Sequence, residues 1–139
     1  MIALSVLINK LETETSYIIE EAKANEQEMP DELGKPKITV GYGPIRNSHP
    51  EVITTFDLYE KNADDLVQSF YIKYICDVAD FRAVFINVYK ILSSFNPNLP
   101  NDVNTGFCYV NGEPAGINNN TFWFISEWKI NFPTNTLLN

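Results

Sequence analysis

Apolar and polar residues alternate along the C-terminal stretch 121–132. Phe122, Phe124, Trp128, Ile130 and Phe132 share one parity, and Ser126 alone interrupts it. Strand side chains alternate faces with a period of two, so this spacing predicts a long strand with one strongly apolar face. The other parity, Trp123, Ile125, Glu127, Lys129 and Asn131, begins apolar and turns polar. The first half of the strand is therefore expected to be covered on both sides. Residues 67–76 form a second strand, with Phe70, Ile72, Tyr74 and Cys76 on one parity and Tyr71 and Ile75 on the other. Apolarity on both faces predicts a central place in the sheet. Between them, Phe81, Val84, Phe85, Val88, Ile91, Leu92 and Phe95 recur at helical spacing. They predict a helix over 81–95 with Asp77 or Asp80 as N-cap, ending before Asn96-Pro97. Phe81, Val84, Phe85, Val88 and Leu92 would face the sheet.

The rest of the chain is assigned around these three elements. Residues 2–23 read as an N-terminal helix, because Leu4, Ile8, Leu11, Thr15, Ile18 or Ile19, and Ala22 step by three or four. Thr13 and Thr15 weaken that helix near Glu14. Residues 25–36, polar and acidic with Pro30, Gly34 and Pro36, read as a flexible connection. A short strand is predicted at 37–42, followed by a loop at 43–50 that carries Pro44 and Pro50. Further strands are predicted at 52–59 and 106–110, with a turn at 62–65 and a loop at 98–104. Asn111-Gly112 signals a hairpin turn, so 111–116 and 118–120 read as a long hairpin connection. The result is one α+β domain over 1–139, ordered α-β-β-β-α-β-β. Its mainly antiparallel sheet is packed by an N-terminal and a central helix, and 25–36 and 43–50 are flexible loops.

Charge narrows the function. Eighteen acidic residues against ten basic ones give −8 at pH 7. Affinity for nucleic acid comes largely from neutralising phosphates, and anionic membranes select for basic patches. Both partners are disfavoured. The apolar run at the N-terminus stops at Ile8 and carries no basic residue before it, too short for a span and unlike a secretory leader. Cys76 and Cys108 both fall in predicted strands and are expected to be buried free thiols rather than a disulfide.

No catalytic, cofactor or metal residue can be nominated. His49 is the only imidazole and has no identifiable orienting partner, nor the companions a zinc site needs. Asp57, Glu60, Asp64, Asp65, Asp77 and Asp80 cluster in sequence. A glycosidase pair or hard-metal site requires a set separation, whereas a solvated acidic rim requires only water. Gly41-Tyr42-Gly43 begins like a phosphate loop, but Pro44 follows and the lysine is missing. Phe107, Tyr109, Phe122, Phe124 and Trp128 could stack nucleic-acid bases, yet only Lys129 is near, so packing against a helix is the better reading. An enzyme is not expected.

The order of elements, with 70–76, the 81–95 helix and the aromatic strand 122–132, resembles the tail terminator, or tail-to-head joining, proteins of long-tailed bacteriophages. The likeness covers nearly the whole chain but includes no short diagnostic motif, so no functional residue is transferred. It implies a structural virion protein of the tail and neck, made in the host cytoplasm. Such a protein forms a ring, hexameric in the family, that caps the tail tube and docks on the head connector. Tail tube protein and connector would be its partners besides itself, with no membrane, and DNA would pass through without being bound. An acidic lumen suits such a conduit. The alternative is a small acidic immunity protein that blocks a basic partner by charge complementarity.

Overall fold

The computed structural model describes residues 2–23, 34–47, 65–95, 97 and 106–133. The first helix, α1 (Leu4–Glu14), buries Leu4, Leu7 and Leu11 on one stripe. It stops nine residues earlier than the apolar spacing suggested. Thr15 ends it in an extended conformation (φ −134°, ψ 165°), and both its N–H (3.0 Å) and its hydroxyl (2.7 Å) donate to the Leu11 carbonyl. A threonine hydroxyl that satisfies a helical carbonyl offers the backbone an exit from the helix. The β-branched and aromatic residues that follow, Tyr17, Ile18 and Ile19, fit a pleated surface better than a helix. Strand β1 (Ile18–Glu21) accordingly replaces the expected last turns, and Ile19 joins the core.

Among the described residues the sheet has five strands in the order β1-β2-β3-β5-β4. Strand β2 (Lys37–Asn47) pairs parallel with β1 and antiparallel with β3 (Asp65–Asp77). Strand β5 (Thr121–Pro133) lies between β3 and β4 (Cys108–Asn118), antiparallel to both. The domain is thus α+β in the order α-β-β-β-α-β-β, with a mixed, mostly antiparallel sheet. Strand β3 is central, as its two-sided apolarity implied. The described trio is β1, β2 and β3, and β1 was not expected as a strand; the strand expected at 52–59 lies outside the described residues. So do 25–33, 48–50, 62–64 and 98–104. Residues 43–47, expected in a loop, continue β2. A register irregularity between Tyr42 and Ile45 takes up Pro44 there. Proline is tolerated at such irregularities because its missing N–H is not needed.

The two described helices pack on one face of the sheet. Helix α2 (Phe81–Ser93) sets Val84, Val88 and Leu92 against Phe70, Ile72, Tyr74 and Trp128, while α1 covers Ile38 and Val40. Phe81 and Phe85 are half-buried at the margin of this core. Asp80 is the N-cap residue of α2, but its side chain makes no capping bond. Asp77 instead accepts the Ala79 N–H at 2.8 Å. After α2 the chain passes close beneath the helix end. The Phe107 N–H donates to the Leu92 carbonyl at 3.0 Å, and a Cβ on Gly106 would run into the Ser93 carbonyl. Only glycine permits that approach.

The final hairpin differs from its sequence signal. Asn111 and Gly112 lie within β4, and the turn falls at Asn119-Asn120, between the paired Asn118 and Thr121. Asn119 has φ 56°, a left-handed conformation that asparagine adopts more readily than most residues. Two register irregularities, at Tyr109/Asn111 and Pro114/Gly116, shift β4 against β5. These absorb the turn-forming residues that suggested a loop.

Candidate interaction surface

Because both helices share one face, alternation sends the other parity of every strand to the opposite face. Cross-strand register places Thr39, Lys73, Ile125 and Glu113 in one row, and Gly41, Tyr71 and Glu127 in the next. Tyr71 and Ile125 are well exposed (40% and 37%), whereas Thr39 and Ile75 are buried. The expectation that this side of β5 would be covered over its first half holds at Thr121, which is buried, and in part at Trp123, which is half-buried, but not at Ile125, which is exposed. No helix packs on this face among the described residues.

Two hollows flank the Tyr71–Ile125 ridge, and these residues line both. One, of about 610 Å³, lies where β1 ends, against Thr39, Gly41, Lys73 and Ala22. The other, of about 370 Å³, lies toward β4 against Gly112, Glu113 and Glu127. The Lys73 ammonium stands 4.5 Å from the Trp123 ring centroid, a cation–π distance. The Thr39 hydroxyl and the Trp123 indole N–H are buried and have no hydrogen-bond partner. Unsatisfied polar atoms are rare in folded interiors, so both are notable. The surface offers apolar contact, donors and mixed charge.

The helix-covered face holds the sequence's other candidates. Ser126, the one break in the aromatic parity of β5, is buried and paired. It accepts the Trp128 indole N–H at 2.9 Å, donates to the Ile72 carbonyl at 3.2 Å, and lies 3.3 Å from the Tyr74 hydroxyl. Burial pushes the Tyr74 phenol up to about 12, against the lowering effect of its Ser126 and Trp128 partners. Tyr109 is pushed upward by burial as well. Tyr109, Phe122, Phe124 and Trp128 pack with Phe81, Phe85 and Tyr89 as an aromatic cluster against α2, and Phe107 packs with Phe70 and Phe95, so the five rings form core rather than a stacking platform.

Of the cysteines, both free, Cys76 is buried and Cys108 is exposed. The expectation of two buried thiols fails at Cys108 because β4 is an edge strand and its first residue pairs with Lys129 on the open face. Burial first, then the Asp80 and Asp77 carboxylates, push the Cys76 thiol up to about 11. Asp77 and Asp80 are exposed. Asp65 opens β3, while His49, Asp57, Glu60 and Asp64 lie outside the described residues. Gly41 and Gly43 are strand residues of β2. Among the described residues no group of three or more His, Cys, Asp or Glu could hold a metal ion. No helix among them is long and apolar enough to cross a membrane.

Sequence reasoning missed Thr39, Tyr71 and Lys73. The signal was present in β3, where Ser69, Tyr71 and Lys73 alternate with Phe70, Ile72 and Tyr74. What was missing was knowledge that both helices take the same side. No protein-family model matches the chain, and no curated protein is similar to it.

Proposed function

We propose that the chain is a structural protein that works by assembling into a closed ring, in the manner of phage tail terminators, and not by catalysis. The ring would cap a tail tube and meet the head connector. The observation that supports this reading most comes from the described residues: both described helices cover one face of the sheet, and Tyr71 and Ile125 stand exposed on the other. A surface of this kind suits a protein partner better than a small substrate. The hairpin β4–β5 adds an outer edge, with Val110 (40%) and Ile117 (62%) exposed. Pro114 and the two irregularities of β4 discourage indiscriminate strand pairing, so a neighbour must fit that edge in one register. A heterologous contact that closes by rotation yields a ring. The hairpin around 111–120 is therefore the proposed subunit contact; the 25–36 arm, the second contact region expected, lies largely outside the described residues.

Native mass spectrometry and sedimentation, from micromolar to near-millimolar protein and with purified tail tubes added, test the reading. A closed ring, or capping of tube ends, is expected. A strict monomer that ignores tube ends would overturn it and favour the acidic binding protein, for which the charge of −8 is the supporting feature.

A further inference from the structure

We infer that the β4–β5 hairpin of one copy docks on the outward face of helix α2 of a second copy, with Glu113 and the outer edge of β4 against Arg82 and Lys90. The inference rests on the ring reading and names the second of the two surfaces that a head-to-tail contact needs.

Helix α2 contains two basic residues, Arg82 and Lys90, and no acidic one. Its buried stripe is Val84, Val88 and Leu92, so helical spacing turns Arg82, Ile86 and Lys90 the opposite way. All three are exposed, Ile86 at 40%, with Tyr89 (44%) beside them. Among the described residues neither Arg82 nor Lys90 makes an ion pair; the pairs there are Lys10–Glu14 and Lys37–Glu20. The stripe thus sets two cations about 12 Å apart along the helix axis, with apolar surface between them. On a chain with a net charge of −8, copies repel unless a basic part of one meets an acidic part of the next. The hairpin offers that counterpart. Glu113, in the middle of β4, is exposed and makes no ion pair among the described residues, and Val110 (40%) and Ile117 (62%) stand open on either side of it along the strand. Among those residues β4 also has no strand on its outer edge, so the outward carbonyls lack ladder partners. Pro114 and the two irregularities make that edge a poor template for another strand. A helix docks there through its side chains instead: Arg82 and Lys90 donate to the carboxylate and carbonyls, while Ile86 and Tyr89 cover Val110 and Ile117. Because the two surfaces are different parts of the chain, the contact repeats in one direction from copy to copy, as ring closure requires.

The test is a charge swap, read as the association constant from sedimentation and native mass spectrometry of the full chain. Arg82→Glu combined with Lys90→Glu should weaken association at least about tenfold, and Glu113→Lys about fivefold. All three together should return to within about threefold of the unaltered protein. Ile117→Asn, at a site already 62% exposed, should weaken association at least about tenfold. Ile45→Asn, at an exposed site on β2, should change it less than about twofold. Circular dichroism and the thermal midpoint confirm that each variant is folded. Assembly unaffected by the charge variants, or lost without recovery in the combined one, would overturn the inference and leave the ring reading standing. Unchanged self-association with lost capping of tube ends would assign the stripe to the tube protein and overturn the inference. An unaltered chain that stays monomeric at every concentration would overturn the ring reading, and the inference with it.

Discussion

The side-chain amide of Gln68 grips the backbone of Ile2 from both directions: its oxygen accepts the Ile2 N–H at 2.9 Å, and its nitrogen donates to the Ile2 carbonyl at 2.9 Å. Gln68 is 1% exposed and sits on the core face of β3, so the pair imitates a strand contact inside the molecule. Tyr42 assists by accepting the Leu4 N–H at 3.1 Å at the start of α1. Together they anchor the first turn of a helix that has no side-chain cap of its own. Gln68→Leu should leave the Ile2 groups unpaired and cost about 1–3 kcal/mol in urea unfolding. Unchanged stability would show that the anchor is dispensable.

Ser126 is the polar hinge of the aromatic core. Ser126→Ala removes the acceptor of the Trp128 N–H, and the expected loss is about 1–3 kcal/mol. Hydrogen exchange at the Trp128 indole should accelerate in the folded variant, because its N–H donates to Ser126 at 2.9 Å. An indole that exchanges no faster would contradict this role.

Phe85 meets four rings with centroids at 5.5–5.8 Å: Tyr109, Tyr74, Phe81 and Phe124. Since it is half-buried, Phe85→Ala should cost about 3 kcal/mol, the lower end for loss of a large core side chain. Denaturant midpoints at constant slope measure it. A change under about 0.5 kcal/mol, typical of a surface position, would reject its place in the core.

The two thiols should separate cleanly by reactivity. Cys108 is exposed, whereas Cys76 is buried with its thiol held up at about 11. Thiolate supply and access both control the rate, so Cys108 should label at least about 100-fold faster in native protein. In denaturant the rates should converge. Two fast sites in native protein would mean that the end of β3 opens readily.

Alkaline pH should destabilise the fold in two stages. Cys76 rises from an ordinary 9.0 to about 11, and Tyr74 from 10.0 to about 12, chiefly through burial. Each group holds its proton more tightly folded than unfolded. Its contribution is therefore complete below the unfolded value and is lost as pH rises toward the folded one. Stability should be level up to about pH 9, then fall through pH 11. Cys76→Ala should delay the onset, while Tyr74→Phe should reduce the decline above about pH 10. A flat profile to pH 11 in the unaltered protein would contradict both assignments.

Local periodicity was enough for the elements whose pattern is long and one-sided. The parities of Phe70–Cys76 and Phe122–Ile130, and the helical step from Phe81 to Leu92, identify a central strand, a long aromatic strand and the helix that covers them. Burial on one face imposes those periods directly. The same reasoning failed where two structures share a spacing. Ile18 and Ile19 satisfy a helical step as well as a strand, and only pairing with β2, after Thr15 had closed α1, decided for β1. Asn111-Gly112 carries a turn's residues, but pairing with Glu127 and Ser126 absorbed them into β4. The open face was the least legible part. Alternation says that Thr39, Tyr71, Lys73 and Ile125 lie on one side, but not which side the helices take. That depends on contacts between residues distant in sequence, as when α1 covers β2 and α2 covers β3. Sequence by itself determined the periods of the strands and helix. The three-dimensional packing determined which face stayed open, because burial is settled by what lies opposite a side chain and not by its neighbours along the chain.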